Sequence, residues 1–292
     1  MFPPKGLGLQ LGLLELRAFE MPPNVRMGLL QLLLVRALVC AFWRAPFNGA
    51  LVRWGTKLHD RFMLPHFVEQ DFISVLAHLR QSGFEFEAEW FAAHFEFRFP
   101  LIGSICADGV QVELRRSLEP WNVLAEETSS GRTVRNVDSS VERIQIKVSG
   151  MPVDARYMVA CNGRHVPLQP AAEPGVAVAG VRFRARRLSA TMHPTIPVHS
   201  PLTFTLIDRR NGRSLAQCIY RIEPPEGRVY ESRPADAAAA LARRLERFAV
   251  IESIVTVTVP QEEINPNFPG TLDMRIPPPS PNLRLETREP MS

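Results

Sequence analysis

Three stretches repeat the order Glu, apolar residue, Arg: Glu15-Leu16-Arg17, Glu96-Phe97-Arg98 and Glu113-Leu114-Arg115. Each lies where alternation predicts a β-strand, so the two charged side chains would share one face of a sheet. Were the three strands neighbours in one antiparallel sheet, that face would offer carboxylates to a hard cation such as Mg²⁺ and guanidinium forks to phosphate, which suits phosphoryl chemistry. The same spacing also describes solvated sheet faces with cross-strand ion pairs. A second group is Gly55-Thr56-Lys57-Leu58-His59-Asp60-Arg61-Phe62, with His66 after Pro65. His59 and Asp60 are residue types that do acid–base work, and Arg61 could hold an acidic substrate. Two histidines beside a helix start are more often hydrogen-bonded structural groups. His94 shares the expected face of Glu96 and Arg98, while His193 and His199 read as structural groups in a Pro-rich connection. Arg182, Arg184 and Arg186 alternate along one strand as a basic stripe, facing solvent or an anionic partner.

Several chemistries lack their signatures. There is no G-x-x-x-x-G-K-[ST], no G-x-S-x-G and no H-E-x-x-H, and Gly6, Gly8 and Gly12 miss the dinucleotide spacing. Cys40, Cys106, Cys161 and Cys218 are scattered without a C-x-x-C pair, which argues against a zinc ribbon or a secreted disulfide framework and for a reducing, cytoplasmic setting. Transglutaminase or protease activity would need a Cys/His/Asp set, and Cys161, in an expected turn, is the first cysteine to test.

The elements that must position these residues can be read from periodicity. Leu11 to Phe19 is an expected strand, then Pro22-Pro23-Asn24 breaks the chain and caps a helix over about Val25 to Trp43. The apolar run from Met27 to Phe42 is interrupted by Gln31 and Arg36 and is shorter than the roughly 20 residues a bilayer needs. A mostly buried core helix is expected, with no membrane partner. A second helix covers Phe67 to Gln81 and ends at Gly83. Helical pieces are expected near Glu87 to Ala93 and Leu118 to Glu127, flanking strands at His94 to Phe99 and Val110 to Arg115.

After Ser129-Ser130-Gly131-Arg132 the helical pattern gives way to short strands at Arg143 to Val148, Tyr157 to Cys161, Val166 to Leu168, Val176 to Ala185, Leu202 to Asp208 and Ala216 to Ile222. Turn signals such as Asn162-Gly163 and Asn211-Gly212 separate them. A last helix spans about Pro234 to Phe248, before a Pro-rich end. The expectation is an α+β chain: a helix-containing region with an antiparallel sheet over residues 1–130, a mostly-β, sandwich-like module over 131–228, and a helix with an extended tail over 229–292.

The 292 residues are 46% hydrophobic, enough for a sizeable core. A net charge of +4 is too small to imply nucleic acid. Lys5, Lys57 and Lys147 are the only lysines among 34 basic residues, a skew that codon bias in a GC-rich genome explains. Only the placement of particular arginines therefore carries weight.

LLELRAFEMPP, LVRWGTKLHDRFMLPHF, HFEFRFP, LEPWNVL, VDSSVERIQIKV, CNGRHVPL and HPTIPVHSPL occur in this order. Together they resemble a bacterial transglutaminase-associated family of unknown function grouped with amidoligases, over about Leu11 to Ile222. In the related glutamate-cysteine ligases a late strand reads E-x-R, then an acidic residue and proline, as in Glu15-Leu16-Arg17 followed by Glu20-Met21-Pro22-Pro23. The resemblance implies ATP and Mg²⁺ as cofactors, with Glu15, Glu20 and Glu96 toward the metal and Arg17, Arg98 and Arg115 toward the nucleotide. His59, Asp60 and Arg61 are the candidates for catalysis. The substrates would be a small-molecule or peptide carboxylate and an amine. In that family the E-x-R strand comes late, whereas here it begins at residue 15, and the text before Leu11 does not match. The expectation is a truncated or split C-terminal part that needs the polypeptide carrying the rest of the ligase core. The alternative is a non-catalytic, β-rich interaction module or pseudoenzyme remnant.

Overall fold

A computed structural model describes residues 16, 19–129, 132–152, 156–188, 191–223, 230–251 and 255–278. The fold is α+β, and the chain divides into two compact units. One comprises Met1–Leu51 and Phe72–Phe97, the other Val52–Asp71 and Arg98–Ser292.

The first unit is helical. Its longest element, α1, is Val25–Arg44, started by the Asn24 side chain accepting from the Met27 amide at 3.1 Å. The short α2 (Leu58–Arg61) belongs to the second unit, as do the first two turns of α3 (Pro65–Gln81); from Phe72 onward α3 belongs to the first. Gly83 at φ +87° closes α3, with the Phe84 amide reaching back to the Leu79 carbonyl at 2.9 Å. Leu34, Ala37 and Ala41 of α1 pack with Leu76, Leu79, Phe86 and Phe91. The mostly buried helix expected at α1 is therefore half right, because its other face carries exposed leucines and Trp43. At 20 residues α1 is also long and apolar enough to cross a bilayer, contrary to the length judged from the interrupted run.

The helix α4 (Ala92–Arg98) replaces the strand expected at His94 to Phe99. Alternation in HFEFRF imitates a strand, but Phe91 and Phe95, four residues apart, both set their rings edge-on to Phe72, at 4.7 and 5.7 Å. Only helical spacing brings them to one partner.

The second unit is built on two facing sheets. The first contains β1 (Leu101–Ala107), β2 (Val110–Arg116), β5 (Val141–Ser149), β9 (Ala177–Arg184) and β13 (Thr271–Asp273) in the order β1-β2-β5-β9-β13, with β8 (Gln169–Pro170) also on β9. All pairings are antiparallel except β13 with β9. The second sheet, order β12-β11-β10-β6-β7, contains β6 (Tyr157–Cys161), β7 (Arg164–His165), β10 (Leu202–Asp208), β11 (Arg213–Tyr220) and β12 (Phe248–Ile251). Alternation sends Val112, Leu114, Ile144, Ile146, Val181 and Phe183 of one sheet into a common core with Val159, Cys161, Phe204, Leu206 and Cys218 of the other. Burying these side chains, at about 25 cal/mol per Å² of apolar surface, is what holds the sandwich.

Residues 122–129, expected to be helical in part, form β3 (Asn122–Ser129), which pairs with β4 (Arg132–Asp138) as a two-stranded ribbon. The expected change of character at residues 129–132 falls between these two strands, and β1 and β2 pair into the same sheet as β5. The strand expected at Val166 to Leu168 is instead flanked by the two-residue strands β7 and β8. The last helix, α5, is Ala237–Leu245.

Candidate functional site

On the outer face of the first sheet, register places Arg143 opposite Arg182, and Arg182 opposite Asp273; the neighbouring row is Gln145, Gly180 and Thr271. Residues 58–66 lie over this face. The His66 amide donates to Gln145 Oε1 at 2.8 Å, and the Leu118 amide donates to the Met63 carbonyl at 3.0 Å. Gly180 makes the close approach possible, since a Cβ there would stand 3.2 Å from both Leu64 Cδ2 and Thr271 Oγ1 and 3.3 Å from Arg143 Nη1.

Asp60 anchors this layer. Its Oδ1 accepts from the Thr271 hydroxyl at 2.6 Å and its Oδ2 from the Gly270 amide at 2.8 Å. The same hydroxyl accepts from Arg143 Nη1 at 3.0 Å, so a bonded chain runs from Arg143 through Thr271 to Asp60. Glu119 sits between two arginines, 3.1 Å from Arg143 Nε and 2.6 Å from Arg182 Nε, with its side chain 3% exposed. Arg182 also faces Asp273 at 3.7 Å, and Asp273 takes two further bonds from the Arg275 guanidinium at 2.9 and 2.7 Å. Burial alone would raise the Asp273 carboxyl, yet these guanidiniums hold it below the ordinary carboxylate value. Burial likewise opposes the charge on Arg143, and Glu119 works to restore it.

His59 lies at the edge of this layer, its ring edge-on to Phe268 at 5.2 Å. Burial, then the Arg143 charge, pushes its imidazole below the usual value, which favours the uncharged ring. The Arg61 guanidinium stacks over Trp54 and Phe67, 5.4 and 5.0 Å from the ring centroids. His59 and Asp60 thus meet the sheet's charged face, while Arg61 is held by aromatic rings.

The expected meeting of three Glu-x-Arg strands does not occur. Glu15 and Arg17 lie outside the described residues. Glu96 and Arg98 are helical, and side chains two apart on a helix point to different sides. Among the described residues, only Glu113-Leu114-Arg115 is a strand pair: Arg115 Nε donates to Glu113 at 3.2 Å and Nη1 to the Phe99 carbonyl at 2.8 Å. Glu20 is exposed ahead of α1. Among the described residues, no group of three or more His, Cys, Asp or Glu side chains could hold a metal ion. The described carboxylates of the charged face, Asp60, Glu119 and Asp273, are taken by arginines, a hydroxyl or an amide. This arrangement does not fit a Mg²⁺ centre, which needs several oxygens free to point at the ion.

The basic stripe is spent internally as well. Arg182 binds Glu119, Arg184 donates to the carbonyls of Arg186, His193, Pro194 and Ile196, and Arg186 lies 3.0 Å from Glu142. Cys161 is in β6, fully buried, and burial raises its thiol pKa, which removes it as a nucleophile. Reading the sequence missed Glu119, Arg143, Thr271 and Asp273 as partners. Their types were visible in LEPWNVL, VERIQIKV and FPGTLD, but the contacts span 24 to 211 residues of chain.

The family described as "Putative amidoligase enzyme (DUF2126)" matches residues 1–275. The chain belongs to this family. The match takes in the text before Leu11 and runs past Ile222, so membership of the amidoligase family extends over both units. No curated protein and no solved structure matches the chain.

Proposed function

We propose that this chain serves an ATP-dependent carboxylate–amine ligase as its rigid sandwich scaffold. Its metal-binding carboxylates would come from polypeptide outside the described residues, including a separate chain. The observation that carries the reading is that a member of the amidoligase family has the acidic groups of its most buried charged face, Asp60, Glu119 and Asp273, committed to internal partners. A ligase of this class activates a carboxylate with ATP before an amine attacks. The chain's own contribution would be to hold the segment carrying His59 against the sheet, at the border of that face. Membership of the amidoligase family supports a peptide or small-molecule carboxylate as substrate, and scattered cysteines without a C-x-x-C pair support a reducing, cytoplasmic setting.

The internal pairing of Arg143, Arg182, Glu119 and Asp273 also favours a second reading, a non-catalytic interaction module, because a substrate-binding face normally keeps charged groups free. Complementation separates the two. The 292-residue chain is mixed with the polypeptide encoded directly upstream, and ADP release is followed with Mg-ATP, mixed carboxylates and amines. Turnover that requires both polypeptides supports the ligase; no turnover in the mixture supports the module.

A further inference from the structure

α1 carries two apolar stripes on opposite sides. Leu34, Ala37 and Ala41 face the core of the helical unit, and Met27 on the same side is buried. The other stripe is Val25, Leu29, Leu32, Arg36, Val39 and Trp43, spaced four, three, four, three, four, the a/d rhythm of a coiled-coil seam. Its apolar members are 42–86% exposed, and Leu33 beside them is 56% exposed. Isolated exposed leucines are ordinary, but a continuous seam five turns long is the mark of a surface that another element covers.

The charges on the helix say what that element is. α1 has three arginines, Arg26, Arg36 and Arg44, and no acidic residue. At 100° per residue Arg26 and Arg44 line one flank of the outer seam, about 27 Å apart along the axis, and Arg36 occupies an a position in its middle. A second copy of α1 would bring three more arginines and no carboxylate, in either orientation. A bilayer would have to take the charge of Arg36 near its midplane, where an unpaired guanidinium is strongly disfavoured. A helix with apolar a and d positions and carboxylates along its flank meets both the seam and the arginines. We propose that the outer face of α1 is a docking seam for an acidic amphipathic helix of another polypeptide. A carboxylate of that helix opposite Arg36 sets the register, as a single buried polar residue does in coiled coils. This inference stands independently of the ligase reading.

The test uses the full chain and two synthetic peptides of about three heptads, with leucine at a and d and either glutamate or lysine at e and g. Fluorescence anisotropy at low salt is expected to show the glutamate peptide binding at least about tenfold more tightly, with the preference shrinking as salt screens it. Leu29→Asp with Leu32→Asp should abolish binding of both peptides, and Arg36→Glu should abolish the preference while circular dichroism stays unchanged. If the leucine double variant loses helix, Arg36→Glu alone carries the decision. Equal affinity for the two peptides, or none for either, overturns the proposal. So does a micromolar dimer of the chain that Leu32→Asp dissolves in sedimentation, or stronger binding to phosphatidylcholine–phosphatidylglycerol vesicles than to the glutamate peptide.

Discussion

On the outer face of the first sheet, Arg143, Glu119, Arg182 and Asp273 are charged groups withdrawn from water, and each has a partner of opposite sign within 4 Å. On the outer face of α1 the situation is reversed: Leu29, Leu32, Leu33 and Trp43 are apolar groups left in water, on a helix that carries arginines but no acidic residue. The first surface is closed, since desolvated charges persist only when paired, and these pair with one another. The second is open, because nothing among the described residues covers the seam. Function that depends on other molecules is therefore to be sought at the helix, and stability at the sheet.

Breaking the closed network should give the largest effect. Glu119→Ala leaves Arg143, 2% exposed at its side chain, without its carboxylate, and should cost about 3–5 kcal/mol in urea unfolding. A loss below about 1 kcal/mol would mean that the face is open to water or to a ligand. Asp60→Ala removes the acceptor of two bonds and should cost about 1–3 kcal/mol, with Thr271→Val adding little to it, because both act on one bonded chain. Independent, additive losses would argue against that chain.

Acid should open the second unit through Asp138. Burial would raise this carboxyl, but bonds from Ser140, Met192 and Thr191 hold it down at about 2. A depressed folded pKa stabilises at pH values above the unfolded value near 4, and the contribution is lost as pH falls from about 4 toward 2. Asp138→Asn should flatten that part of the stability profile; an unchanged slope would assign acid sensitivity elsewhere. The smallest effect is expected at the open surface. Leu32→Lys should change the stability of the chain alone by no more than about 0.5 kcal/mol, and a loss above 2 kcal/mol would show that the seam is already filled.

How far these features could be read from the residues depended on the range of the interactions. Asn24 before α1, Gly83 after α3 and the strands over Tyr157–Cys161 and Leu202–Asp208 follow from local rules and are where they were expected. HFEFRF and LEPWNVLAEET were misread because tertiary partners, Phe72 for the first and the facing strand Arg132–Asp138 for the second, overrode the local pattern. For the site, His59 and Asp60 could be singled out by type. Glu119 and Thr271 could not, because neither shows a periodic signal and both acquire their roles from segments far along the chain.

We propose that this member of the amidoligase family needs a further polypeptide to complete a metal–nucleotide centre. ADP release by the purified 292-residue chain, with Mg-ATP, mixed carboxylates and mixed amines, tests it most directly. The account predicts no release above the protein-free rate and no heat of ATP binding in the micromolar range. Enzyme-like turnover that is lost on Glu15→Gln and Arg17→Ala would contradict it.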